Sequence, residues 1–278
     1  MDLIDTHQHL ILRDRLGYRW TSAISALASG DFTPGDYAAS VLGKGITGSL
    51  FMETGVDDAD YQAEARLIAG FVRKGGMMGQ IASCRPETDK AFDAWLDECE
   101  GLHVKGFRRI LHVGDDGISQ SGTFRRNLRK IGQRGLPFDL CVLARQHDLV
   151  EDLTRTHDHQ IFVLDHCGNP DIAADAFAPW AASLCRLAAL PNLYAKLSGI
   201  TANCAPGTVT VDRLRPYVLH LIDCFGPERI VWGSDWPVVT INSTLPDWVD
   251  FSRTLLAPLT VDERRAIGSE TARKIYQL

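Results

Sequence analysis

Two histidines stand one residue apart at the end of an apolar run, Leu3-Ile4-Asp5-Thr6-His7-Gln8-His9. On an extended strand, side chains two apart share a face, so both imidazoles leave it together at a spacing suited to metal ligation. The plainer alternative is a polar pair at a solvent-facing strand end. Other groups able to do chemistry close later apolar runs: Glu53, Cys84, Arg108 or Arg109, Cys141, His166, Lys196 or Ser198, and Asp235. His7, His9, His166 and Asp235 together offer three neutral imidazoles and one carboxylate, a donor set for one divalent ion such as zinc or manganese. Asp235 could also accept a proton from water. Its alternative is a strand-terminating turn in Ser234-Asp235-Trp236-Pro237.

Groups so far apart in sequence meet only if their strands end at one place. The chain supplies the pattern for that. Runs with strand character begin near Leu3, Gly48, Met78, His103, Pro137, Ile161, Leu193 and Ile230, and a helical periodicity follows each. Thr33-Pro34 opens the first helix with a cap and a proline at its first position. Helices are expected over 57–74, Glu87 to Glu100, around Phe124 to Ile131, Gln146 to His157, Asp175 to Leu190 and Val211 to Phe225. The tail reads as Asp247 to Ala257, then a capping box at Thr260 and Glu263 opening a helix interrupted near Gly268. Eight strand and helix pairs make a (β/α)₈ barrel, in which all strand C-termini face one mouth and carry the chemistry. A doubly wound sheet would show a glycine-rich turn after strand one, where His-Gln-His stands instead. Long loops follow strand one (Leu10 to Phe32) and strand four (Gly114 to Gly122). A loop as long as the first is usually functional.

At 278 residues and 30.7 kDa, with 45% apolar and 23% charged residues, the chain is expected to form one barrel domain over residues 1–278. A net charge of −6 offers no attraction to a nucleic-acid backbone or an anionic membrane, and no apolar stretch reaches the ~18 residues a bilayer span needs. The expected partner is a small molecule, and the expected compartment the cytoplasm. Seven cysteines without a C-x-x-C pair argue against a disulfide framework and a cysteine zinc site, and most should be buried thiols. His147, His157, His159 and His220, on or after helices, are expected on the solvent side. Oligomeric state is open.

Five motifs in this order, Ile-Asp-Thr-His-Gln-His, Lys-Gly-Phe-Arg, Leu-Asp-His-Cys-Gly-Asn-Pro, Lys-Leu-Ser-Gly and Gly-Ser-Asp-Trp-Pro, resemble the amidohydrolase superfamily over nearly the whole chain. Within it, the chain resembles the amidohydrolase-2 group of sugar-lactone hydrolases, fuconolactonase-like, and pyrone-dicarboxylate lactonase. The resemblance implies a distorted TIM barrel and hydrolysis at an ester carbonyl. It also implies that His7 and His9 are the strand-one pair, His166 the strand-six histidine, Asp235 the general base, and Arg108 a holder of substrate oxygens. Members with one metal and with none both occur. A binuclear centre is not expected: Lys105 lies three residues from Arg108, so only one of them enters the barrel, and strand five has neither His nor Lys.

The expected reaction is the opening of a small sugar-acid lactone by water. Asp235 takes the proton, and either a metal or the donors His7, His9, His166 and Arg108 stabilise the carbonyl oxygen. Glu53 and Lys196 are candidates for substrate contacts, with structural bonds as the alternative, and for Arg108 the alternative is a surface ion pair. Trp236 beside the base is placed to wall the pocket, and Trp20 on the first loop to cover it. The runner-up is a metal-dependent decarboxylase, a lyase of the same superfamily, although such enzymes tend to carry a strand-five histidine missing here. A barrel that only binds a ligand is the third reading, and it gives a general base no purpose.

Overall fold

A computed structural model describes residues 1–278. Its parallel strands, in sequence order around the sheet, are β1 (Leu3–Gln8), β2 (Ile46–Met52), β3 (Gly79–Ser83), β4 (Val104–Ile110), β5 (Phe138–Cys141), β6 (Phe162–Leu164), β7 (Leu193–Leu197) and β8 (Ile230–Trp232). The helices that follow them are α1 (Pro34–Val41), α2 (Tyr61–Arg73), α3 (Phe92–Glu100), α4 (Gly122–Gln133), α5 (His147–Thr156), α6 (Phe177–Ala188), α7 (Val211–Phe225) and α8 (Leu245–Leu256). The last seam closes largely beyond the end of β8. There Asp235 N donates to His7 O (2.8 Å), His9 N to Trp236 O (2.7 Å) and Thr6 Oγ1 to Trp232 O (2.8 Å). The result is a (β/α)₈ barrel, distorted at the β8 to β1 seam.

Alternation along the strands sorts side chains into two layers. Leu3, Phe51, Ala82, Phe107, Leu140, Phe162, Ala195 and Trp232 pack outward against the helices. Ile4, Leu50, Met52, Ile81, Val163 and Val231 pack inward, capped at the lower end of the barrel by Ala272, Ile275 and Tyr276 of the final helix (Thr271–Tyr276). Above that apolar floor the interior turns polar, with Asp139, Lys196, Asp165, Arg108, Glu53 and His7 all buried. Strand β1 breaks the alternation to get there. Asp5 pairs with Ser49 and Gln8 with Phe51, three steps on β1 against two on β2. That bulge lets Ile4 and His7, three residues apart, both face inward. Outward-facing Asp5 accepts from Tyr37 Oη (2.8 Å) and Ser234 N (2.8 Å), tying β1 to α1 and to the turn after β8.

Several elements differ from expectation. Helix α3 begins at Phe92, not Glu87, because Ala91 is left-handed (φ 59°) and Asn127 Nδ2 donates to the carbonyls of Pro86 (3.0 Å) and Thr88 (2.8 Å), holding that stretch extended. The loop after β4 contains a helical turn, Gly117–Gln120. Strands β6 and β8 are three residues each; a 3-10 stretch, Asp165–Gly168, follows β6, and irregular backbone leads from β8 to a bridge between Trp236 and Gln8. The interruption near Gly268 is a π-helical stretch, Ala266–Glu270. His147 and His157 are buried, contrary to their expected solvent position. His147 bridges Ser183 Oγ (2.7 Å) and Gly168 O (2.9 Å), while His157 reaches the carbonyls of Leu153 (2.8 Å) and Arg125 (3.1 Å), so each joins neighbouring elements. No helix is long and apolar enough to cross a membrane.

Candidate active site

The mouth of the barrel collects the chemistry at the upper strand ends. His9 Nε2 is 3.4 Å from Asp235 Oδ1, His7 Nε2 is 3.7 Å from the same oxygen, and His166 Nδ1 is 3.9 Å from Asp235 Oδ2. The rings of His7 and His9 meet edge to face with centroids 4.8 Å apart. Two of the three elements reach this place through unusual backbone. His166 (φ 55°) and Asp235 (φ 57°) are left-handed, a conformation costing on the order of 1–3 kcal/mol that persists where surroundings enforce it. Glycines make the space. A Cβ on Gly233 would lie 2.6 Å from His7 Cβ, and one on Gly199 (φ 63°) would collide with His166 Nδ1.

Hydrogen bonds define the imidazoles. His9 Nδ1 lies 2.9 Å from Met52 O, a carbonyl that only accepts, so Nδ1 carries a proton and Nε2 faces Asp235. Arg108 Nη1 donates to His7 Nε2 (3.2 Å), which leaves the His7 proton on Nδ1, 3.5 Å from Asp165 Oδ1. Burial holds His7 well below the usual histidine range, with the positive charge of Lys196 adding to the effect, and burial lowers His166 as well. Both are neutral near pH 7. His7, His166 and Asp235 place one ligand atom each within 4.8 Å of one another. His9 and His7 each direct a second nitrogen toward a carbonyl or carboxylate, the outer contact that metal-binding histidines use. This donor set fits a divalent ion.

Beneath the mouth lies a buried layer of charge. Arg108 Nε donates to Glu53 Oε1 (2.7 Å), Nη2 to the Glu53 carbonyl (2.6 Å) and Nη1 to Asp165 Oδ2 (3.1 Å). Lys196 Nζ contacts Asp139, Asp165 Oδ1 (3.2 Å) and Thr6 O (3.3 Å). Four carboxylates face two cations here, and the environment divides them. Burial would raise Glu53 and Asp165, but Arg108 beside Glu53, and Lys196, His7 and Arg108 around Asp165, hold both below the ordinary carboxylate range. Burial pushes Asp139 up to about 7, helped by the charge on Asp165, and Glu64 up to about 8, helped by Glu53.

A cavity of about 280 Å³ opens above this layer. Its lining includes His9, Arg108, His166 and Asp235 with Trp20, Thr54, His112, Asn169 and Asn203. Trp20 Nε1 donates to Thr54 O (3.0 Å), fixing the indole at the rim. Three candidates for substrate contact fall elsewhere. Lys196 is fully buried one layer below, because its side chain reaches Asp139. Trp236 packs behind the wall against Phe32 and Tyr37, with centroids 5.6 and 5.5 Å away, because Asp235 turns the backbone and sends the next side chain outward. Glu53 reaches Arg108 and does not line the cavity. His112, Asn169, Asn203 and the anchor Asp165 had not been singled out. Alternation from Val163 would have pointed Asp165 inward, and the spacing from Arg108 to His112 carried a weaker signal.

A family model described as amidohydrolase matches residues 4–278. An L-fucono-1,5-lactonase from Burkholderia multivorans is 27% identical, aligned over 99% of this chain and 96% of that protein. A crystal structure of an amidohydrolase from Burkholderia multivorans with bound zinc has a TM-score of 0.90 at 24% identity and covers 100% of both chains. Amidohydrolase 2 from Bifidobacterium longum subsp. infantis has a TM-score of 0.78 at 24% identity, over 100% of this chain and 99% of the other. The match runs from the first strand to the last residue and takes in the histidine pair, the charged layer and the aspartate after β8: the chain belongs to the amidohydrolase family.

Proposed function

We propose that this enzyme is a lactonase that opens a small, uncharged sugar lactone to its hydroxy acid, with Asp235 as general base. One observation carries the reading: Asp235 is the only carboxylate lining the cavity, and three histidines surround it at 3.4 to 3.9 Å. Relatives named L-fucono-1,5-lactonase and L-rhamnono-gamma-lactonase support the reaction class. A water beside Asp235 gives its proton to the carboxylate as its oxygen bonds to the ester carbonyl carbon. The charge developing on the carbonyl oxygen meets N–H donors of His166 and Arg108. The ring C–O bond then breaks, the departing alkoxide takes the proton from Asp235, and the new carboxylic acid ionises. When a divalent ion is bound, it supplies a Lewis acid for the carbonyl and a lower pKa for water, and His7, His9, His166 and Asp235 are the residues placed to hold it.

The lining also bears on the substrate. Arg108 is its single Lys or Arg, and that charge is already matched by Glu53 and Asp165. No free cation remains for a substrate carboxylate, whereas Asn169, Asn203, His112 and Thr54 offer neutral partners for hydroxyls. The volume is at the small end of the ~300–1,000 Å³ usual for ligand pockets, the scale of one sugar ring. These features favour a neutral aldonolactone over a dicarboxylate.

Proton release from a panel of aldonolactones and aldaric lactones, before and after chelation, tests the proposal. Neutral lactones should turn over faster than acidic ones, and Asp235→Asn should lower kcat by about 10²- to 10⁴-fold with the fold intact by circular dichroism. Silence across the panel would sink the lactonase reading, and carbon dioxide release from a carboxylic acid would replace it with the lyase.

A further inference from the structure

Away from the mouth, on the outer wall of the barrel, three side chains from two helices converge. Cys185 lies on α6, and His220 and Cys224 stand four residues apart on one face of α7. The two sulfurs are 2.7 Å apart, and His220 Nε2 is 3.5 Å from Cys185 Sγ and 3.4 Å from Cys224 Sγ. Cys185 is exposed and Cys224 half-buried, whereas the other five cysteines are buried. The three residues line a shallow surface depression with Ala188, Ala189 and Asp223. The absence of a C-x-x-C pair argues against a cysteine metal site, but Cys185 and Cys224, 39 positions apart, are brought together by the packing of α6 on α7.

We propose that Cys185, His220 and Cys224 form a surface site for one thiophilic divalent ion of the zinc class, separate from the barrel mouth. Two thiolates and an imidazole are the ligand types that select such an ion. Geometry supports the assignment. A tetrahedral ion with Zn–S of about 2.3 Å and Zn–N of about 2.0–2.1 Å holds nitrogen and sulfur roughly 3.5 Å apart, the separation His220 already keeps from both sulfurs. The sulfurs must part to about 3.8 Å, which rotation of the solvent-facing Cys185 side chain allows. The His220 ring packs against Phe177 and Trp180, at centroid distances of 5.6 and 5.5 Å, which keeps it beside the two sulfurs. His220 Nε2 also lies 3.1 Å from Ala181 O. Binding takes the Nδ1–H tautomer and gives up that contact, while both thiols release their protons to solvent. The fourth position faces water. A disulfide, the competing use of two close thiols, gives His220 no part.

The test uses the full chain, reduced, freed of metal and kept anaerobic, titrated with cobalt(II) and then zinc(II). The wild type should develop a thiolate-to-cobalt charge-transfer band with the visible bands of tetrahedral cobalt, and zinc should displace them. It should bind one more equivalent than Cys185→Ser/Cys224→Ser, which should show no thiolate band while keeping lactone hydrolysis and helical circular dichroism. His220→Gln should weaken cobalt binding by more than the about 10- to 100-fold that follows loss of an outer contact. A wild type with both thiols free by titration and no thiolate band overturns the proposal, as does cobalt affinity that ignores His220→Gln. A chain 2 Da lighter after aerobic handling that no longer takes up cobalt once reduced assigns the pair to a disulfide and overturns it equally.

Discussion

Arg108 is the residue on which the mouth depends most. It is 3% exposed, its guanidinium reaches Glu53, Asp165 and His7, and it also lines the cavity. Removing one partner from a buried ion cluster leaves uncompensated charge, at a cost of about 3–5 kcal/mol. Arg108→Met should therefore lose about that much in urea unfolding and should also lower kcat, because Glu53 and Asp165 are left facing each other without the cation between them. Arg108→Lys restores a charge but not the fork that joins Glu53 to Asp165, so stability should recover in part and kcat less. If Arg108→Met unfolded with wild-type stability, the charges in this layer would have to be solvated or protonated, and the division of ionisation described above would fail. The three-residue offset showed that only one of Lys105 and Arg108 could enter the barrel, and the family resemblance pointed to Arg108. Neither could show that the charge would be matched within the protein, because the matching groups come from β2 and β6.

At the scale of elements, α2 supplies a prediction about pH. Its first turn carries Glu64, whose Oε1 accepts from Thr54 N (3.0 Å) and so steadies the stretch 54–55 that forms one wall of the cavity. Burial, reinforced by Glu53, raises this carboxyl to about 8 in the folded state, while the unfolded chain holds it near the ordinary 4.5. Between those values the native state binds more proton than the unfolded state, so the Glu64 contribution to stability is complete below about pH 4.5 and is lost as pH rises through 8. The slope is at most about 1.4 kcal/mol per pH unit. Glu64→Gln keeps the acceptor and cannot ionise, so its melting temperature should fall less than that of the wild type from pH 5 to 9. Parallel curves would refute the assignment. Elements were also where the sequence was most legible. Helix α7 runs from Val211 to Phe225 as expected, because Thr210 caps it and Gly226 ends it. Start signals failed where tertiary bonds overrode them, as at Glu87 to Ala91, held out of the helix by Asn127 of α4. The histidine pair does share a face, but it reaches the interior only through a bulge that no pattern of apolar residues announces.

The whole molecule joins two ends of one barrel through its centre. The chain begins at the floor of the barrel, where Ile4 packs, climbs β1 to the histidines at the mouth, and finishes back at the floor, which the helix Thr271–Tyr276 seals. Tyr276 Oη donates to Asp139 (3.0 and 3.1 Å), and Asp139 contacts Lys196, which reaches Asp165, which faces His7. A continuous polar line therefore runs from the last turn of the chain to the histidines at the mouth. It could serve to hold the fold or to set the charge at the mouth, and Tyr276→Phe separates these uses. Removing the hydroxyl leaves Asp139 short of a buried donor, a loss of about 1–3 kcal/mol read by urea unfolding. Asp139 keeps Lys196, and Asp165 and Arg108 keep the partners that fix the layer above. The effect should stop there, with kcat and the pH dependence of lactone opening unchanged. A stability loss accompanied by a shifted pH profile would mean that the floor of the barrel sets the protonation of its mouth, and the charged layers would then act as one titrating unit spanning the molecule.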